Sequence, residues 1–89
     1  MNHKILKSFL EEEANAHVRK LLLRRISDCQ TGAAIGCHKY EFNRFMVTID
    51  CDAKEAVIED DLTPGADGQG RWSLSEFGSA LWSPENQAS

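Results

Sequence analysis

Six carboxylates fall within residues 50–61: Asp50, Asp52, Glu55, Glu59, Asp60 and Asp61. On an extended chain, alternate residues share a face, so Asp50 and Asp52 point one way, and Glu55, Glu59 and Asp61 point one way. Three roles fit such a group. It can hold a divalent ion for phosphoryl chemistry, meet the basic surface of a protein partner, or stay solvated and discourage strand edges from aggregating. Upstream, Arg19, Lys20, Arg24 and Arg25 form a basic set that would suit phosphate contacts to nucleic acid. On a helical wheel they spread around the axis, which also fits solubility and complementarity to the helix dipole.

The thiols and imidazoles offer less. Cys29, Cys37 and Cys51 make an odd count with no CxxC pair, which argues against a disulfide framework. Free, small, half-buried thiols in a reducing cytoplasm are the simplest expectation. A zinc site from Cys29, Cys37, His38 and Cys51 would lack the paired short spacings that wrap a tetrahedral ion. Cys37 and His38 are adjacent, so on a strand they point to opposite faces and cannot act as nucleophile and base. His17 lies one helical turn after Glu13 and can pair with it. The sequence contains no P-loop, GxGxxG, HExxH or ordered Ser-His-Asp set. No cofactor, no resident metal and no enzymatic activity are expected.

Residues 65–76 have part of the spacing of an EF-hand. Counted from Gly65, Asp67 stands at position 3, Gly70 at position 6, Trp72 at position 8 and Glu76 at position 12. The resemblance to a calcium loop covers this stretch and Phe77. It fails at the ligands: Gly65 stands at position 1 in place of Asp and Gln69 at position 5, so a site that needs 6–8 oxygens has lost most of its charge. The alternative is a loop leading into a capped helix.

These residues must be positioned by a small number of elements. Residues 3 to about 30 lack Gly and Pro and are rich in helix formers. Gly32 is suited to a left-handed cap. Leu6, Leu10, Ala14, Val18, Leu22 and Ile26 recur every four residues, and that row advances about 40° per step around a helix of 3.6 residues per turn. The cluster Ile5, Leu6, Phe9, Leu10 therefore faces away from Val18, Leu21, Leu22 and Cys29. The helix either breaks near Ala14-Asn15-Ala16, or stays straight and presents one cluster to a partner chain or a wide core. From Tyr40 the period becomes two: Phe45, Val47, Ile49 and Cys51 alternate with Arg44, Met46, Thr48 and Asp50, giving a strand of roughly ten residues. Residues 33–38 are ambiguous and would supply a third strand if extended. Asp52-Ala53-Lys54 is a turn, and Glu55 to Leu62 a return strand with Ala56, Ile58 and Leu62 or Val57 facing in. Thr63 to Gly70 reads as a loop. Ser73 to Glu76 is a capping box, with Trp72 and Phe77 placed as a hydrophobic staple. The last helix reaches Leu81 or Trp82, and Pro84 stops it.

The composition bounds the rest. The 89 residues carry a net charge of −4, with no apolar run able to span a bilayer, and the start of the chain is too charged for a signal peptide. Residues 1–45 hold 8 basic and 5 acidic groups, whereas residues 46–89 hold 2 and 9. The expected fold is α+β in two layers: a long N-terminal helix, an antiparallel hairpin and a short helix, in the order α-β-β-α. One domain spans residues 1–82, followed by a polar tail at 83–89. A lone ribbon is marginal in water, which favours a homodimer, with Ile5, Leu6, Phe9 and Leu10 at its interface. The expected function is that of a small acidic cytoplasmic binding protein of a bacterium or phage: an adaptor, antitoxin, immunity protein or inhibitor. It would engage a basic protein partner through Asp50, Asp52, Glu55, Glu59, Asp60 and Asp61, with Phe42, Met46 and Trp82 as apolar anchors. The alternative is a nucleic-acid-associated regulator using the basic set of the first helix.

Overall fold

The computed structural model describes residues 3–62 and 68–82. It contains seven elements: α1 (His3–Glu12), α2 (Ala16–Thr31), β1 (Cys37–Glu41), β2 (Phe45–Asp50), β3 (Glu55–Asp60), β4 (Gln69–Ser73) and α3 (Leu74–Leu81). The α+β class holds, but the order is α-α-β-β-β-β-α. The expected hairpin is the centre of a four-stranded antiparallel sheet with strand order β1-β2-β3-β4.

The long N-terminal helix is two helices. The chain turns at Glu13 and Ala14, and Asn15 starts α2 by accepting the Val18 N–H on its side chain at 2.9 Å. An amide side chain at this position satisfies a donor that has no partner inside the helix. The break lets both apolar clusters reach one core, which settles the two readings of the four-residue row in favour of the break. Gly32 closes α2 in the left-handed region, with φ 84°, where a side chain would clash with the backbone.

The ten-residue strand expected from Tyr40 onward is also two elements. A turn at Asn43 separates β1 from β2, and the Phe42 N–H donates to the Phe45 carbonyl at 2.8 Å. Tyr40 pairs with Val47 and Glu41 with Met46 across this hairpin. Of the ambiguous residues 33–38, Cys37 and His38 belong to β1. The Asp52-Ala53-Lys54 turn is present and is nucleated by Asp50, whose carboxylate accepts the N–H groups of Asp52 and Ala53, both at 3.0 Å. β3 follows as expected, although Asp60 rather than Leu62 or Val57 continues its buried set after Ala56 and Ile58.

β4 occupies part of the segment read as loop. Gly70 and Trp72 point inward, paired with Ile58 and Ala56. Glycine is required at 70 because the Trp72 indole folds back over it, in the space a Cβ would fill. The strand Gln69–Ser73 covers positions 5–9 of the calcium-loop spacing; residues 65–67 of that spacing lie outside the described residues, as do residues 63 and 64 and the 83–89 tail. The N-cap half of the capping box forms, with the Glu76 N–H donating to Ser73 Oγ at 3.1 Å; the Glu76 carboxylate accepts from the Ser73 hydroxyl at 3.1 Å instead of from the Ser73 backbone N–H.

One face of the sheet carries the core. Phe45, Val47, Ile49, Ala56, Ile58 and Trp72 pack with Ile5, Phe9, Val18, Leu22, Ile26, Leu74, Phe77 and Leu81 in a single cluster. Phe9 is fully buried at its centre, with ring centroids 5.5 Å from Phe42, 5.8 Å from Phe45 and 6.4 Å from Phe77. Cys29 and Cys51 are joined as a disulfide, with Cα atoms 4.8 Å apart. This corrects the expectation of free thiols: the two cysteines lie 22 residues apart in sequence, but the last turn of α2 sits over the end of β2. Among the described residues no helix is long and apolar enough to cross a membrane.

Candidate functional site

Strand pairing places the outward residues of the sheet in three rows. Cys37, Asp50, Glu55 and Ser73 form one, Lys39, Thr48, Val57 and Arg71 the second, and Glu41, Met46, Glu59 and Gln69 the third. This is the face opposite the core, and among the described residues no helix covers it. Four carboxylates (Glu41, Asp50, Glu55 and Glu59) therefore surround a centre of Met46, Thr48 and Val57, with two cations, Lys39 and Arg71, in the middle row. Arg71 sits 3.5 Å from Glu55 in an exposed pair.

The predicted acidic residues divide by role. Asp50, Glu55 and Glu59 share the outer face. Asp52 lies in the turn beside them, and Asp61 just past the end of β3, both exposed. The carboxyl of Asp50 is held below the usual carboxylate range, chiefly by the Ala53 N–H. Asp60 does not join them. It is buried on the core side, where it forms a two-point pair with Arg44 at 3.0 and 2.8 Å and accepts the Leu62 N–H at 2.9 Å. Arg44 extends the pair to Glu12 at 2.8 Å and covers the Phe45 ring at 5.0 Å from its centroid. The hydrogen bonds that Arg44 donates to the Asp60 carboxylate hold its guanidinium protonated more firmly than usual. This triad ties the end of α1 to the sheet, with Asp60 buried inside it. Among the described residues, no group of His, Cys, Asp or Glu is arranged to hold a metal ion.

The apolar anchors separate as well. Met46 lies half-buried on the outer face between Glu41 and Glu59. Phe42 is half-buried against the core, beside Phe9. Trp82 is exposed, but at the end of α3 in the helical layer. Ile5 and Phe9, expected at a dimer interface, are buried in the chain's own core, and Leu6 and Leu10 pack against it in part.

The basic set of the first helix regroups on the helical layer. Arg25 turns away, with its Nε donating to the Tyr40 hydroxyl at 2.8 Å, and this bond raises the guanidinium pKa. Arg19, Lys20 and Arg24 instead line a groove of about 900 Å³ together with Ala14, Asn15, Ala16, Leu23, Leu81 and Trp82. Arg19 is fixed across its floor: Nε donates to the Ala14 carbonyl at 2.7 Å, and a terminal nitrogen donates to the Leu81 carbonyl at 2.8 Å. These bonds satisfy one carbonyl in the link between α1 and α2 and one at the end of α3.

Sequence reasoning missed Glu41, Lys39, Val57 and Arg71 on the open face, and the meeting of Trp82 with Arg19, Lys20 and Arg24. The alternation of β1 was available to place the first two. Arg71 required recognising β4 inside a glycine-rich stretch, and the groove required knowing where α3 docks. No family model, curated protein or solved structure matches this chain.

Proposed function

We propose that this chain is a non-enzymatic binding module, of the adaptor, antitoxin, immunity or inhibitor kind, that presents the open face of its sheet to a basic protein surface. The observation that supports this reading is the acidic frame of Glu41, Asp50, Glu55 and Glu59 around Met46, Thr48 and Val57, on a sheet face that no helix covers among the described residues. An apolar centre with a charged rim is the usual anatomy of a protein interface. The carboxylates steer a cationic partner and set its register, and the centre supplies the area removed from water. Asp52 and Asp61 extend the negative rim at opposite ends of the hairpin.

Glu41→Lys with Glu59→Lys tests the reading. Both side chains are exposed and lie outside the core, so the fold is retained. Capture of a basic protein by the parent chain should be lost in the double variant. Equal capture by both would refute the reading.

Ile5 and Phe9 are taken up by the chain's own core, so a homodimer would form through the outer edges of β1 and β4, which no strand covers among the described residues. The Cys29–Cys51 bridge weighs against a cytoplasmic setting, since such bridges persist where the surroundings are oxidising.

A further inference from the structure

The helical layer carries a second surface of opposite character. α2 uses Val18, Leu22, Ile26 and Cys29 to pack on the core. Ala16, Arg19, Lys20, Leu23 and Arg24 fall at spacings of three and four residues on another face, the spacing of a helix-packing surface. At its inner edge that face meets the end of α3 through Arg19 and the Leu81 carbonyl, and Leu23 packs in part against the core; Ala16, Lys20 and Arg24 are exposed. The face forms one wall of the groove; Leu81 and the exposed Trp82 form the other, and Ala14 closes one end. The lining is mostly apolar. Lys20 and Arg24 stand one turn apart at the rim, exposed, with no ion pair among the described residues. Arg19 adds a fixed positive charge on the floor.

We propose that this groove is a docking site for an acidic amphipathic helix of a partner protein. The apolar side of such a helix would lie over the half-buried Leu23 and the exposed Trp82 indole. Its carboxylates would reach Lys20 and Arg24. Helix-in-groove recognition uses anchors at the same three- and four-residue spacing, and the basic rim selects an acidic occupant. The apolar lining favours a peptide over a nucleic acid strand, whose phosphates would also meet the net negative charge of the rest of the chain. This site lies on the opposite layer from the acidic sheet face and does not depend on that face being a binding surface.

Trp82 reports occupancy directly. Trp72 is buried and Trp82 is 64% exposed, so a change in tryptophan emission on binding comes from Trp82. The probe is a synthetic amphipathic peptide with leucines on one face and glutamates on the other, titrated at low salt. A second peptide carries lysines in place of the glutamates, and a single-stranded oligonucleotide provides a third arm. The expected result is a blue shift with the glutamate peptide, saturable and weakened by salt, and no shift with the lysine peptide. Lys20→Glu with Arg24→Glu should weaken binding about tenfold, the scale of two rim ion pairs, and Trp82→Phe should abolish the signal while a labelled glutamate peptide still binds. Equal binding of both peptides, indifference to the charge reversal, or no binding of the glutamate peptide would overturn the proposal. A shift with the oligonucleotide in preference to the peptide would overturn it in favour of nucleic acid.

Discussion

Asp50 carries both architecture and surface charge. It caps the β2–β3 turn through two backbone N–H groups and faces Cys37 across the strand pair. Its carboxyl titrates lower in the folded chain than in the unfolded one, so its contribution to stability is fully present above the unfolded value of 3.8 and is lost as pH falls through the folded value. Asp50→Ala should therefore lower the Tm at neutral pH, and the difference from the parent should shrink in melts taken toward about pH 3. Partial desolvation, followed by the Asp50 carboxylate, pushes the Cys37 thiol up. Little thiolate then exists at neutral pH, and the thiolate is the reactive form. Cys37 should alkylate with iodoacetamide more slowly than free cysteine despite its exposure, and Asp50→Asn should speed it; a rate equal to that of free cysteine would contradict this. Phe9 is the residue on which the core turns. Truncation to Ala removes a fully buried ring with three aromatic neighbours and should cost about 3–5 kcal/mol, a large part of the total stability of a domain this size. Denaturant unfolding would measure it.

Local chemistry made some elements readable and hid others. The Ser73 N-cap of α3, the Gly32 cap, the Asp52-Ala53-Lys54 turn and the alternation of Phe45, Val47, Ile49 and Cys51 all follow from short-range rules. β4 does not announce itself, because Gly70 carries no side chain and Trp72 supplies the bulk for both positions. The cysteine pairing was equally hidden: counting thiols says nothing about which helix end lies over which strand end. Asp60 looked like its exposed neighbours because a run of acids conceals the one that alternation turns inward, and only the fold brings Arg44 and Glu12 to it. Two tests belong here. Asn15→Ala removes the cap that separates α1 from α2 and should cost about 1 kcal/mol, or about 4–8 °C in Tm for a domain of this length. Replacing Cys29 and Cys51 together with Ser opens a loop of 22 residues and should cost about 3 kcal/mol on the chain-entropy account. A thermal melt unchanged by reductant would contradict that bridge.

The whole molecule is asymmetric. Among the described residues three helices cover one face of the sheet and none covers the other, whose carboxylates are arranged around Met46, Thr48 and Val57. The charge division visible along the sequence becomes a division in space, with the acidic frame on the sheet and the basic rim on the helical layer. The most direct test of the acidic face is parallel capture from nuclease-treated lysate of the source organism, with the parent chain and the Glu41→Lys, Glu59→Lys double variant as baits. The account predicts a basic protein retained in stoichiometric amount by the parent, released by moderate salt and absent from the variant. Retention of the same protein by both baits, or by neither, would contradict it.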